Sequence, residues 1–321
     1  MNRIELLYPF ILGGLIAAGL MPSVIRYFKK KQLGQVTREE GPSWHEVKSG
    51  TPTMGGVSIL IAVSIASILF SLLFELETSL TLLLVFIFIV YAAIGFLDDY
   101  IKVIMKRNLG LTSLQKLIGQ IVAAILFYLG VSQFTAIQVV SLPFGIELNF
   151  GIFYSLFVVF WLVGFSNATN LTDGLDGLLA STGFIAYASY TIIAIWQNQL
   201  EVALFTVSVM GALIGFFIFN KKPAKIFMGD VGSLALGAGL AGVSIILNQE
   251  WTLLLIGLIF VIETASVMLQ VSSFKLTGKR LFKMSPIHHH FEMIGWNEWK
   301  IVIVFSVITL ISSLLTLIIV Y

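Results

Sequence analysis

The sequence predicts an all-α, polytopic integral membrane protein of about ten transmembrane helices, with both termini outside and a working face on the cytoplasmic side. Three observations predict it. Of 321 residues, 58% are hydrophobic and only 11% are charged, a balance far from that of a water-soluble domain. The apolar residues gather in runs close to the roughly 20 residues a helix needs to cross the hydrocarbon core. All Lys and Arg residues except Arg3 then fall on one side of the topology, which the positive-inside rule makes cytoplasmic.

The candidate spans run over about 4–25, 54–74, 79–97, 114–134, 151–166, 177–196, 201–219, 231–248, 251–271 and 301–320. No basic segment with a short apolar core and a small-residue cleavage site opens the chain, so the first run is expected to be a retained span. Turns such as "ELETS" and "NQE" are short and carry no Lys or Arg, whereas the alternate loops are basic. The stretches 26–53 and 272–300 read as loops too short to bury cores of their own. No repeat of 20 to 50 residues is present, and 1–321 reads as a single integral membrane domain. Cys is absent, which excludes disulfides and thiolate chemistry.

All five Asp and all four His residues fall on the cytoplasmic side or at helix ends facing it. Acidic residues contribute little to orientation, so topology does not explain them. A transporter would instead place ionisable groups at mid-membrane, in discontinuous helices of matched halves. The pattern favours a site at one face, rich in carboxylate, imidazole and ammonium groups.

Along the chain, "KSGTPTMGG" offers Lys48 as a point charge for phosphate and Thr53 as a donor at the start of the second span. It is no Walker A loop, and no G-x-x-x-x-G-K-[ST] occurs anywhere, so P-loop nucleotide hydrolysis is unsupported. "FLDDY" closes the third span with Asp98 and Asp99. Adjacent side chains on a helix point about 100° apart, so one could hold a metal while the other does something else; alternatively the pair marks the exit into water. In "SNATNLTDGLDGL", Asn167, Asn170, Asp173 and Asp176 recur every third residue. On one helix they would fan over half the cylinder; a break at Gly174 and Gly177 would let them converge. An ordinary capped turn accounts for two of the four. "FMGDVGS" sets Asp230 between glycines at a helix start, which suits a diphosphate, a metal–diphosphate complex or a simple helix cap. Glu263, in the middle of the ninth span, has no evident partner, and a charge at that depth marks a partner or a function. In "KMSPIHHHFE", His288, His289 and His290 are too crowded to share one tetrahedral zinc. They suit phosphate binding or proton handling, or a solvated loop.

Together these segments resemble the phospho-N-acetylmuramoyl-pentapeptide transferases, within the wider superfamily of polyprenyl-phosphate hexose-1-phosphate transferases. The resemblance runs from "REEGPSWHEVKSGTPTMGG" to "SVMLQVSSFKLTGKRLFKMSPIHHHFE" and covers nearly the whole chain. "TPTMGG" and "SPIHHHFE" look specific to the muramoyl-pentapeptide branch. The resemblance implies transfer of phospho-MurNAc-pentapeptide from its UDP conjugate to undecaprenyl phosphate in the bacterial cell membrane, giving lipid I and UMP. The nearest rival is a GlcNAc-1-phosphate transferase. It implies a Mg2+ cofactor with Asp99 and Asp230 on the metal side and Asp98 beside the attacking lipid phosphate. Asn167, Asn170, Asp173 and Asp176 would help form the nucleotide-sugar site, and Lys48 and Lys116 would contact phosphate or uridine. His288 would carry the important imidazole, with His289 and His290 nearby. A bent ninth span, a groove for the polyprenyl chain, a homodimer and no nucleic-acid partner are also implied.

Overall fold

Each apolar run becomes a helix because, in lipid, a spanning backbone satisfies its N–H and C=O groups within the segment itself. The computed structural model describes residues 3–30, 50–103, 105, 110–134 and 139–321. In order, the helices are α1 (Leu7–Lys30), α2 (Gly56–Leu73), α3 (Thr78–Val103), α4 (Ser113–Val131), α5 (Tyr154–Thr172), α6 (Leu178–Trp196) and α7 (Leu200–Asn220). Then come α8 (Asp230–Ile246), α9 (Thr252–Ile256), α10 (Leu258–Thr277), α11 (Ile287–Met293) and α12 (Glu298–Val320). Among the described residues, nine helical segments have the length and apolarity of a membrane span, and α8, with 17 residues, is a shorter tenth.

Three sequence expectations need correction. The third and fifth spans do not stop at 97 and 166; α3 continues to Val103 and α5 to Thr172. Their polar last turns stay helical because they pack inside the protein, so Asp98 and Asp99 are buried on a helix rather than marking its exit into water. The stretch 272–300 is not simply a loop: it holds the end of α10, all of α11 and the start of α12. Between α4 and α5 the strands β1 (Val139–Ser141) and β2 (Glu147–Asn149) pair antiparallel, Val139 opposite Asn149. The ninth span is broken, with α9 and α10 meeting at Gly257, whose N–H donates to the Leu253 carbonyl at 2.8 Å.

At the centre lies α8, every residue of which after Asp230 is buried. It packs against α3, α5 and α2. Two of these approaches need glycine. A Cβ on Gly95 of α3 would lie 2.2 Å from the Asp230 carbonyl oxygen, and one on Gly56 of α2 would lie 2.3 Å from the Gly232 nitrogen. Backbone contact at those crossings brings the end of α3, the end of α5 and the starts of α4 and α8 to one end of the bundle.

Candidate active site

That shared end collects carboxylates. Asp98 and Asp99 come from the last turns of α3 and Asp230 from the first residue of α8; one oxygen from each lies within 4.8 Å of the others. Three like charges so close need compensation, and two lysines supply part of it. Lys102, one helical turn beyond Asp98, pairs with it and comes within 3.8 Å of Asp230. Lys116 donates to Asp230 Oδ2 at 2.5 Å and stands 3.9 Å from Asp98. Lys116 is placed by a capping box: Thr112 Oγ1 accepts from the Gln115 N–H, Gln115 Oε1 accepts from the Thr112 N–H, and α4 starts with Lys116 turned to the cluster.

Neutral donors fix one further oxygen on each acid. The Leu111 N–H donates to Asp98 Oδ1 at 2.9 Å and the Val231 N–H to Asp99 Oδ2 at 3.2 Å. Asn170 Nδ2 reaches both Asp230 Oδ1 and Ser233 Oγ at 2.8 Å. The segment before α2 runs beside the one before α8: Phe227 N–H donates to the Pro52 carbonyl, Gly55 N–H to Phe227 and Gly56 N–H to Met228. Thr53 is thereby buried next to Gly229, where a Cβ would lie 3.0 Å from its hydroxyl and 2.5 Å from Asp99 Oδ2. Gly229 has φ +76°, so a side chain there would meet both backbone strain and crowding.

The Asp-rich turn is built differently from its expected convergence. The helix does break after Thr172 and restart at Leu178, with Gly177 at φ +80°. Only two of its four polar residues, Asn170 and Asp173, come to the acidic cluster, while Asn167 and Asp176 turn to other partners. Asn170 reaches Asp230, while Asn167 Nδ2 donates to Gln120 Oε1 of α4 at 3.0 Å. Asp176 accepts from the Ala224 N–H at 3.0 Å and ties the turn to the α7–α8 loop. Asp173 has its carboxyl pushed well above the usual carboxylate range, first by desolvation and then by the negative charges of Asp230 and Asp99.

The imidazoles separate as well. His288 is fully buried on α11, with Nδ1 3.0 Å from Glu263 Oε1 on α10. His289 Nδ1 lies 2.7 Å from Glu292 Oε2, and His290 Nδ1 accepts from the Lys283 N–H at 3.2 Å. Lys48 lies outside the described residues. The sequence reading missed Lys102, whose signal was its i+4 spacing from Asp98 on a helix cut short at 97. It also missed Gln120 and Ser233, ordinary polar residues with no signal of their own, and His288 as the partner of Glu263.

A divalent cation fits this cluster. Its oxygens are hard donors from three carboxylates, and magnesium binds one or two carboxylates along with substrate phosphate oxygens and water. The ammonium groups of Lys102 and Lys116 can also pair with anionic substrate oxygens.

Residues 79–248, which contain Asp98, Asp99 and Asp230, match the family described as Glycosyl transferase family 4. Residues 48–60 match the phospho-N-acetylmuramoyl-pentapeptide-transferase signature 1. Among curated proteins, the phospho-N-acetylmuramoyl-pentapeptide-transferase of Enterococcus hirae is 56% identical over 99% of both chains. The protein so named from Lactiplantibacillus plantarum is 54% identical over 95% of both. That of Listeria monocytogenes is 50% identical over 98% of both.

Proposed function

The chain belongs to the phospho-N-acetylmuramoyl-pentapeptide-transferase family, and from that premise we propose how its residues carry out the family's reaction. It is a multi-pass bacterial membrane enzyme that transfers phospho-MurNAc-pentapeptide from UDP-MurNAc-pentapeptide to undecaprenyl phosphate, giving lipid I and UMP in peptidoglycan synthesis. The observation that carries the mechanistic reading is the cluster of Asp98, Asp99 and Asp230 flanked by Lys102 and Lys116 at one mouth of the bundle. We place that mouth at the cytoplasmic face, where a soluble nucleotide sugar and a lipid phosphate can both arrive, and take the working unit as a homodimer.

Transfer is substitution at phosphorus. An oxygen of undecaprenyl phosphate forms a bond to the donor phosphorus that carries MurNAc-pentapeptide, and the bond from that phosphorus to UMP breaks, its electron pair leaving with UMP. A phosphate monoester has its second pKa near 6, so the attacking group is already mostly dianionic at neutral pH and needs little deprotonation. The work is to bring two anions together in line. Lys102 and Lys116 offset their charge and orient their oxygens. Asp98, held by Leu111 N–H and Lys102, orients the attacking phosphate and takes a proton from the minority monoanion. Asn170 fixes Asp230, and Asn167, Asp173, Asp176, Thr53, Lys48, His289 and His290 belong to the surrounding donor site. Asp99 and Asp230 would hold Mg2+, which when bound supplies positive charge to the phosphate oxygens.

The direct test follows radiolabel from UDP-MurNAc-pentapeptide into a butanol-extractable lipid in the presence of undecaprenyl phosphate and magnesium. Label in the lipid is expected; no transfer, or faster transfer from UDP-GlcNAc, overturns the reading. A donor chiral at the transferred phosphorus should give inverted lipid I. Net retention, or a burst of UMP without lipid acceptor, would replace single displacement with a covalent Asp98 intermediate. One phosphoric anhydride is exchanged for another, so UMP added with lipid I should regenerate the donor.

A further inference from the structure

Glu263 is the acid at mid-span that no part of the mechanism above uses. It is fully buried on α10, and His288 faces it from α11. Glu263 Oε1 and His288 Nδ1 are 3.0 Å apart, and among the described residues the imidazole makes no other hydrogen bond: Nε2 is buried without a partner there. An orphaned ring nitrogen in a protein interior is costly, which asks what it is for. Its direction answers in part. A Cβ on Gly174 would lie 2.2 Å from Nε2, so the nitrogen points at the turn between α5 and α6, beside Asp173. Gly174 is exposed. Only the missing side chain of that residue lets the ring come so close to the open face of the turn.

We propose that Glu263 is a positioning residue of the transferase. Its carboxylate accepts the Nδ1 proton of His288 and leaves Nε2 as a bare acceptor that meets an O–H or N–H of the bound donor at the Asp173–Gly174 turn. A carboxylate can only accept, so in the neutral ring the proton is kept on Nδ1 and the imidazole cannot turn over. The opposite arrangement is the commoner one for a histidine in water, so the tautomer is a property of this contact. His289, whose ring centroid is 4.1 Å from that of His288, is held by Glu292 and does not compete for Glu263. The Glu263–His288 contact pins the short helix α11 to the depth of the broken ninth span and sets the height of Nε2 over the turn.

The inference rests on the transferase reading for its activity arm but not for its spectroscopic one. Detergent-solubilised full-length protein labelled with 15N-histidine is measured at a pH where the imidazoles are neutral, with His288→Asn assigning the signal. In the wild type His288 should show a protonated Nδ1 and a bare Nε2. In Glu263→Gln the amide can serve either tautomer, so the Nε2–H form should appear and kcat should fall by about 10- to 100-fold, as when a group that orients an essential histidine is lost. A wild-type ring protonated on Nε2 overturns the proposal. So does a Glu263→Gln ring still locked on Nδ1, or one released with wild-type kcat. Should Glu263→Gln not fold, Gly174→Ala tests the other end. It places a methyl against Nε2 and should lower kcat while the proton stays on Nδ1, donated to Glu263; unchanged kcat would sink the idea. Absence of transfer by the wild type, with the tautomer locked, would instead fault the transferase reading.

Discussion

Both oxygens of Asp230 are claimed, one by Lys116 and one by Asn170, so this side chain is held from two sides. Asp230→Asn keeps the shape and removes the charge. We expect transfer to fall by at least about 100-fold, the scale of losing one electrostatic contact in a reacting site. The detergent-solubilised variant should elute and melt like the wild type, and wild-type turnover would remove Asp230 from the metal side. Excess chelator should abolish wild-type transfer, and added Mg2+ should restore it. At the far end of the bundle, Glu250 lies buried between α8 and α9 and accepts from the Tyr154 hydroxyl. Burial pushes its carboxyl from 4.5 up to about 7. The folded state therefore holds a proton the unfolded chain releases, so this contribution is full below pH 4.5 and is lost as pH rises through about 7. Its size is about 3 kcal/mol at 1.36 kcal/mol per unit. Melting temperature should fall across that window, and Glu250→Gln should flatten the slope; an unchanged slope refutes the assignment. At this scale the sequence announced residue types but not partners. Asp98, Asp99 and Asp230 were legible as carboxylates near helix ends, whereas Glu263–His288 and Glu250–Tyr154 join residues 25 and 96 positions apart, a separation no local pattern encodes.

Counting apolar residues found the spanning helices among the described residues and set four of their ends too early, since α1, α3, α5 and α10 run on to Lys30, Val103, Thr172 and Thr277. The count stops at the first charge, yet a helix goes on for as long as its backbone bonds and packing support it, and α3 has α8 and α4 beside its last turns. The same extension explains why Lys102 was overlooked. The crossing of α3 and α8 depends on Gly95. Gly95→Ala must push the two backbones apart, with a destabilisation of about 1–3 kcal/mol from overpacking. Because Asp98 and Asp99 ride on one helix and Asp230 on the other, activity should fall more steeply than stability. A variant with a lowered melting temperature and full transfer would show that the carboxylates are not held by this crossing. The α5–α6 turn was half legible: its glycines marked the break, but the directions of Asn167 and Asp176 are set by Gln120 and the Ala224 N–H, which the turn's own sequence does not contain.

For the molecule as a whole, the charge bias along the sequence implies an orientation that labelling can check, and the lack of Cys makes single-cysteine variants clean reporters. Lys225→Cys, on the exposed α7–α8 loop, should react with a membrane-impermeant maleimide only from the cytoplasmic side. Glu147→Cys, on the exposed β2 strand, should react only from outside. Exchange of the two patterns would invert the protein and move the site to the other face. The lengths of the helices have a further consequence. At 1.5 Å per residue, the 17 residues of α8 rise about 25 Å, short of the roughly 30 Å hydrocarbon thickness. Asp230 stands at the start of this short central rod, and α3 runs four residues past Asp99, about 6 Å at the same rise, so the acidic cluster sits below the end of α3. Hydrophobic mismatch thus becomes part of the chemistry, since the undecaprenyl headgroup must sink, or the surrounding leaflet must thin, before its phosphate reaches the lysines. In nanodiscs of rising acyl-chain length, the KM for undecaprenyl phosphate should climb while that for the nucleotide sugar stays level.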